Sequence, residues 1–158
     1  MLDSFLAIIK PLCRTEPIID ESASPKAIKV SAQDLVLVMD ALYRNPTTYF
    51  DMLSCITGID NGVQAATMEV VYNLYSIPFN HHLMVKVTLP RDLASLDSVS
   101  HIWRTANWHE REIFDMYGVN FNNHPDLRRI LMPADWEGYP LRKDYSHQEY
   151  YRDIKVAY

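Results

Sequence analysis

The chain has 158 residues and a formal net charge of −5, from 20 acidic and 15 basic side chains. That length suits one domain, which would bury roughly two thirds of its unfolded surface. An acidic balance disfavours a protein that binds by neutralising phosphates, so nucleic acid is not an expected partner. The two cysteines, Cys13 and Cys55, are too few and too far apart for an iron–sulfur cluster or a Cys-based zinc site from this chain alone.

No apolar run approaches the roughly 20 residues that a membrane-spanning helix requires. The N-terminal sequence MLDSFLAIIKPLCR has neither the basic segment nor the small-residue cleavage site of a secretory signal. It also lacks the Arg- and Ser-rich character of an organelle import peptide. We therefore expect a soluble protein of a bacterial cytosol, or an organelle-encoded one.

The N-terminal third predicts two helices and one strand. Apolar residues at helical spacing predict a short helix over 2–9, which ends before Pro11. Residues 11–25 read as a loop and 26–30 as a short strand. Ser31 and Asp34 are a helix-start signal for a second helix, which should end at Asn45-Pro46.

The middle of the chain predicts three strands, over residues 49–59, 67–75 and 82–89. The second and third strands alternate apolar and polar residues, which is typical of an antiparallel hairpin with one face on a core. Asp60-Asn61-Gly62 supplies turn chemistry between the first two. The fold class is therefore α+β, with a small, mainly antiparallel sheet packed against helices.

From Leu96 the apolar period becomes helical. The spacing allows either one helix from there or a break near residues 105–107, and we favour the break. In that case Asn107 is the N-cap and Glu110 its reciprocal partner. Gly118 should end the helix.

After Gly118 the periodicity disappears, while prolines and large apolar residues alternate. The prolines disfavour another packed helix or a central strand. We therefore divide the chain into a core domain, 1–118, and an extended arm, 119–158, that lies along another protein's surface. Such an arm should be mobile in the free chain.

One alternative function uses the cluster His109, Glu110, Glu112 and Asp115 as a metal-dependent hydrolase site. The chain offers one His-x-x-Glu and no His-Glu-x-x-His, so the ligand set is incomplete. The structural interpretation instead has Glu110 complete a cap, Arg111 pair with Asp115 at i,i+4, and Glu112 face solvent or a partner.

Aromatic residues crowd these charges, which is typical of protein interfaces. Trp108 and Tyr117 flank the cluster, and His124 before Pro125 marks a turn rather than a ligand. Two basic pairs follow among prolines and apolar residues: Arg128 with Arg129, and Arg142 with Lys143. Arginine's planar fork suits bidentate contacts with a partner's carboxylates or carbonyls.

The spacing of these residues resembles a family signature. It consists of a Glu-Arg-Glu run, an acidic residue with two hydrophobics, two basic positions and an aliphatic pair, here Glu110, Arg111, Glu112, Asp115, Met116, Tyr117, His124, Arg128, Ile130 and Leu131. A second element, Pro140-Leu141-Arg142-Lys143-Asp144-Tyr145, follows at the expected distance. The family is the 30 kDa subunit of respiratory complex I, the NADH-quinone oxidoreductase. Residues 107–145 match it closely, and the preceding part matches in layout.

The resemblance implies a non-catalytic core subunit of a proton-translocating NADH-quinone oxidoreductase. Family members sit in the peripheral arm against the large quinone-site subunit (the 49 kDa type) and carry no redox centre. NADH, FMN, iron–sulfur clusters and quinone are thus expected in other subunits. The expected location is the cytoplasmic face of the bacterial inner membrane, or its organelle equivalent, with membrane association only through the complex.

The residues that we expect at the partner interface come from the signature and its surroundings. They are Trp108, Glu110, Arg111, Glu112, Asp115, Tyr117, His124, Arg128, Arg129, Trp136, Pro140, Leu141, Arg142, Lys143 and Asp144. A third interpretation, an adaptor unrelated to respiration, remains open from the residues alone.

Overall fold

The computed structural model describes residues 2–156. Its main element is a five-stranded sheet in the order β1-β2-β5-β4-β3, with β2 and β5 parallel and the other neighbours antiparallel. The strands are β1 (Ile18–Asp20), β2 (Ala27–Lys29), β3 (Met52–Asp60), β4 (Thr67–Ser76) and β5 (His81–Pro90). The predicted α+β class with a mainly antiparallel sheet is confirmed.

Three α-helices accompany the sheet: α1 (Leu2–Ile9), α2 (Leu35–Arg44) and α3 (Ala106–Tyr117). A 3₁₀ turn, Lys10–Leu12, continues α1. Within residues 2–156, none of the helices is long and apolar enough to span a membrane. Both N-terminal helices were predicted at nearly these bounds, because their apolar spacing and flanking prolines agree with the tertiary packing.

The core lies between one face of the sheet and the helices. Alternate residues of β4 and β5, such as Val70, Tyr72, Val85 and Val87, are fully buried, as the period-2 pattern predicts. The apolar sides of α1 and α2 cover them, with Phe5 against Phe50 at 5.3 Å between ring centroids. Burial of apolar surface therefore stabilises the packing of the sheet against α1 and α2.

Two sequence-based assignments before α3 are wrong. Residues 18–20 are not loop but β1, whose Asp20 binds Lys86 at 3.0 Å across the sheet. The apolar residues from Leu96 do not begin a helix, because Ser95–Asp97 is a strand, β6. β6 pairs in parallel with β7 (Asn120–Asn122), and this non-local pairing overrides the local helical spacing.

The break before α3 is confirmed, but its details differ from the prediction. Thr105 occupies the N-cap position, Asn107 lies inside the helix, and no side chain caps the first turn by a hydrogen bond. Gly118 ends the helix in the left-handed conformation, with φ of 74°, as expected for a residue without Cβ.

The segment from residue 119 does not lead away from the domain. β7 pairs with β6 directly after the boundary set at 118, and residues further on bond to α3 and to the end of β3. A final hairpin joins β8 (Tyr150–Tyr151) and β9 (Ile154–Lys155). The sequence predicted an extended arm, 119–158, along another protein's surface. The structure adds contacts to its own chain, because polar groups that the sequence could not pair find partners on α3.

Candidate functional site

The C-terminal end of α3 is the anchor for the later part of the chain. The last four carbonyl groups of a helix have no partner inside it. Here each one accepts a hydrogen bond, from Gly118 N–H to Phe114 O (2.9 Å), Arg129 Nη1 to Asp115 O (3.1 Å), Leu141 N–H to Met116 O (3.1 Å) and Arg142 Nε to Tyr117 O (2.6 Å). Two of the donors are guanidinium groups, which the helix dipole also favours at this end.

Asp115 organises the first stretch of that segment. Its Oδ2 accepts the backbone N–H groups of Ile130, Leu131 and Met132 at 2.7–3.0 Å, and its Oδ1 accepts Nη1 of Arg129 at 2.8 Å. Burial alone would raise the pKa of Asp115, but these donors hold it below its usual range. The carboxyl is therefore ionised and fully satisfied.

The expected pairing of Arg111 with Asp115 is wrong. Arg111 turns the other way: its guanidinium lies 4.8 Å from the Trp108 ring centroid, and its Nε donates to the Arg128 carbonyl at 3.3 Å. Asp126 lies 3.7 Å from its Nη1. The helix therefore binds residues 126–132 through Arg111 as well as through Asp115.

Glu110 does not complete a helix cap. Its side chain is fully buried and reaches the chain after β6, where Oε1 accepts the Val99 N–H at 2.8 Å and Oε2 the Ser98 hydroxyl at 2.6 Å. Burial raises the pKa of Glu110 to about 7, opposed by the hydrogen bonds from Ser98 and Val99. The spacing suggested a cap because a helix cap and the observed contact with Ser98 and Val99 both use an acidic residue early in the helix.

His124 is also part of this intramolecular framework. Its buried side chain places Nε2 3.1 Å from the Asn107 carbonyl and 3.8 Å from Oε2 of Glu110. Its Nδ1 accepts the N–H of Asp126 at 3.0 Å. As predicted, the residue stands beside a turn, where it ties β7 to α3.

A second anchor holds the Pro140–Tyr145 element to the sheet. Arg91 is buried and donates to both oxygens of Asp60, at 2.9 and 3.0 Å, and to both oxygens of Asp144. Asp60 also accepts the Lys143 N–H at 2.8 Å and the Gly62 N–H at 2.9 Å. Hydrogen bonds from Arg91 hold the pKa of Asp60 well below its usual range and lower the pKa of Asp144.

Sequence reasoning missed both Asp60 and Arg91 as site residues. Asp60 was read only as a turn residue, and Arg91 follows the end of β5 without a motif. The one available signal was Asp144 in the family-like element, an acidic residue that needs a partner when it is held against a domain.

Not every predicted interface residue is used inside the chain. Trp108 is 62% exposed and Leu131 60% exposed, and the Glu112 and Arg128 side chains are also exposed. Trp108 and Asp115 are two turns apart on the same side of α3, and Leu131 is bonded to Asp115. We call Trp108, Glu112, Arg128 and Leu131 the α3 surface.

Some of the remaining predicted residues contact their own chain, and others are exposed. Trp136 donates to the Tyr145 hydroxyl at 3.1 Å and contacts the Tyr151 ring. Tyr117 packs over Gly58, where an added Cβ would stand 2.8 Å from its ring. Pro140 is half-buried, whereas Leu141 and Lys143 are exposed.

The hydrolase alternative finds no support in this geometry. Glu110 and Asp115 are buried against different segments and are fully engaged there, while Glu112 faces solvent. Over residues 2–156, no group of three or more His, Cys, Asp and Glu side chains is placed to hold a metal ion.

Comparison with known proteins shows which family shares these residues. The family described as "Respiratory-chain NADH dehydrogenase, 30 Kd subunit" matches residues 28–151. The chain belongs to this family. It is 50% identical over 115 residues to an NADH-quinone oxidoreductase subunit of Chlorobium phaeobacteroides, covering 72% of this chain and 69% of that protein. The corresponding subunit of Geobacter metallireducens is 47% identical over 122 residues, covering 77% and 74%.

The lengths of the relatives differ. The match to the corresponding subunit of Chloroherpeton thalassium, 51% identical over 110 residues, spans 69% of this chain but 45% of that protein. Membership makes this chain a subunit of a complex I-type oxidoreductase assembly. An adaptor unrelated to respiration is thereby overturned.

Two solved structures share the fold. The trypsin-resistant fragment of Nqo5 superposes with a TM-score of 0.61 at 23% identity, covering 80% of this chain and 98% of that one. A chain of the membrane-bound sulfane sulfur reductase, an archaeal respiratory membrane complex, gives 0.72 at 24% identity, covering 92% and 83%. The overall architecture is therefore common to all three chains.

Proposed function

We propose that this chain is a non-catalytic subunit of the peripheral arm of a proton-translocating NADH-quinone oxidoreductase, and that it holds the large quinone-site subunit in place. NADH, FMN, the iron–sulfur clusters and quinone are bound by other subunits. The chain stands at the cytoplasmic face of the inner membrane and meets the membrane only through the complex.

The observation that carries the proposal is the α3 surface. Trp108 exposes 62% of its area on a helix whose other sides are covered, and Arg111 stacks on its ring from within the domain. An exposed tryptophan that packs on an arginine, with an exposed leucine in the segment bonded to the same helix, is typical of an interface centre. Most other signature residues are engaged inside the chain, which leaves this surface for the partner.

Substitution of Trp108 by alanine tests the docking role. Loss of an interface anchor costs about 2 kcal/mol or more of binding free energy, whereas loss of an exposed side chain changes folding stability little. We therefore expect Trp108→Ala to melt like the wild type but to reduce the subunit found in the assembled complex on native gels.

Leu37→Ala is the matched control, because Leu37 is 55% exposed on α2, away from the α3 surface. It should leave both the melting temperature and the assembly unchanged. Normal assembly of Trp108→Ala would reject the α3 surface as the docking site. Absence of wild-type subunit from the purified complex would reject the proposed function itself.

The non-catalytic role has its own test. The purified chain should show no flavin or iron–sulfur absorbance and no stoichiometric metal by elemental analysis. A chromophore retained at one equivalent through gel filtration would reject this part of the proposal.

A further inference from the structure

Glu110 stands where three segments meet. It projects from the middle of α3, its oxygens bind Ser98 and Val99 just after β6, and His124 just after β7 approaches its Oε2 at 3.8 Å. The sheet contributes Tyr72 of β4, which is fully buried; burial raises the pKa of its phenol, and the nearby Glu110 raises it further. A carboxyl group at such a junction influences how all three segments pack.

The groups that face this carboxyl provide no positive charge. Over residues 2–156, no lysine or arginine lies within salt-bridge distance of it, and the adjacent Arg111 is directed to the Arg128 carbonyl. The chain after β6 contributes hydroxyl groups, and Tyr72 of the sheet contributes a neutral phenol. The remaining titratable neighbour is His124.

The hydrogen bonds of His124 use one of its ring nitrogens as an acceptor. The Asp126 N–H can only donate, so Nδ1 must accept and carries no proton. The ring proton is therefore on Nε2, where it is donated to the Asn107 carbonyl. A second ring proton would break the bond from Asp126, so His124 does not neutralise Glu110 without a local loss.

The hydroxyl groups beside Glu110 leave a position for one proton. Ser98 Oγ accepts the Ser100 N–H at 3.1 Å and lies 2.8 Å from the Ser100 hydroxyl oxygen. If Glu110 carries a proton on Oε2, it donates to Ser98 Oγ, and the Ser98 hydroxyl donates to Ser100. Every polar atom of this chain of hydroxyl groups then has a partner, and no buried charge is left.

Asp115, on the same helix, shows what an ionised buried carboxyl requires here. It has three backbone N–H donors and a guanidinium. Glu110 has one backbone donor and one hydroxyl, and burial raises its pKa to about 7. The two carboxyl groups therefore differ in charge because they differ in donors.

We propose that Glu110, with Ser98 and His124, forms a buried binding site for one exchangeable proton, and that its occupancy controls how firmly the β6–β7 pair is held on α3. The proton comes from solvent and returns to it. With the site occupied, the neutral acid completes the hydroxyl chain. With the site empty, the buried carboxylate weakens this junction and favours local opening.

Infrared difference spectroscopy of the full chain tests the site directly. A protonated carboxylic acid has a C=O band that disappears on ionisation. The wild type should lose one such band as the pH rises through neutrality. Glu110→Gln should lack this change, while Glu112→Gln, which alters an exposed carboxyl on the same helix, should retain it.

Hydrogen exchange supplies the second readout. After correction for the intrinsic rate, the Val99 amide and those of residues 120–124 and 126 should lose protection in the wild type as the pH rises through neutrality. In Glu110→Gln the amide side chain mimics the neutral acid, so protection should be independent of pH over that range.

Ser98→Ala keeps the test decisive if Glu110→Gln fails to fold. It removes a hydroxyl that donates to the carboxylate and accepts from the neutral acid. The bond to the ionised form is the stronger of the two, so the midpoint of the carboxylic band should move to higher pH. A band that persists in Glu110→Gln, a midpoint unmoved in Ser98→Ala, or no titrating band in the wild type would each overturn the proposal.

Discussion

The sheet and the segment after α3 are stabilised in different ways. β4 and β5 bury alternating apolar side chains against α1 and α2, so hydrophobic burial dominates there. Residues 124–145 bury few apolar groups and are held by polar contacts, chiefly to Asp115, to the end of α3 and to Asp60. The first kind of contact is non-directional, while the second depends on individual atoms.

This difference determines how each region responds to substitution. Removal of a core side chain destabilises the whole domain, because all three helices and the long strands β3, β4 and β5 contribute to the core. Removal of one polar anchor releases a local segment and leaves the sheet folded. The predictions below separate the two responses.

The largest effect is expected for Phe50→Ala. Phe50 is fully buried and contacts the rings of Phe5 and His81. The cavity should lower the free energy of unfolding by about 3–5 kcal/mol, measured by denaturant titration, with both regions unfolding together. Leu93→Ala, at an 85% exposed position, should leave stability unchanged. A segment that melts separately in Phe50→Ala would contradict a shared core.

Asp115→Asn should have a smaller and local effect. It breaks the pair with Arg129 and places an amide among three N–H donors, at a cost of about 3 kcal/mol. Hydrogen exchange should show loss of protection at residues 129–132 and 141–143, while β4 and β5 stay protected. Uniform loss across the sheet would mean that the two regions are not separable.

Acid should release the Pro140–Tyr145 element before the sheet unfolds. Asp60 has a lower pKa in the fold than in the unfolded chain, because Arg91 and two N–H groups bind its ionised form. Its stabilisation is present above the unfolded-state pKa and is lost as the pH falls through the folded-state value. Trp136 fluorescence should follow the release, and Asp60→Asn should remove the pH dependence.

The smallest effect is expected for Gly58→Ala. The new Cβ would lie 2.8 Å from the Tyr117 ring, so the ring must shift at the contact between β3 and α3. Overpacking of this kind costs about 1 kcal/mol, measured as a change in melting temperature. No change at all would mean that Tyr117 moves freely at the end of α3.

The contrast between apolar burial in the sheet and polar contacts after α3 also explains which elements the sequence could predict. The apolar spacing of α1, α2, β4 and β5 is a local pattern that matches the buried faces of these elements. They were therefore predicted near their true bounds. β6 was mistaken for helix, since its partner β7 lies more than twenty positions along the chain and leaves no local period.

The candidate site was predictable in its residues but not in their pairing. The signature drew attention to Glu110, Arg111, Asp115 and His124, yet each bonds across 11 to 17 positions rather than within α3. A carboxylate's partner depends on which segment returns to it, and spacing along one helix carries no such information. Asp60 and Arg91 were missed for the same reason.

Hydrogen exchange on the isolated full chain tests the central claim, that the signature residues fold residues 124–145 onto their own domain. The amides of Ile130, Leu131, Met132, Leu141 and Lys143 donate to α3 or to Asp60. We expect all five to be protected without any partner present. Exchange at the rate of an unstructured peptide, with β4 and β5 still protected, would contradict the claim and restore a mobile arm.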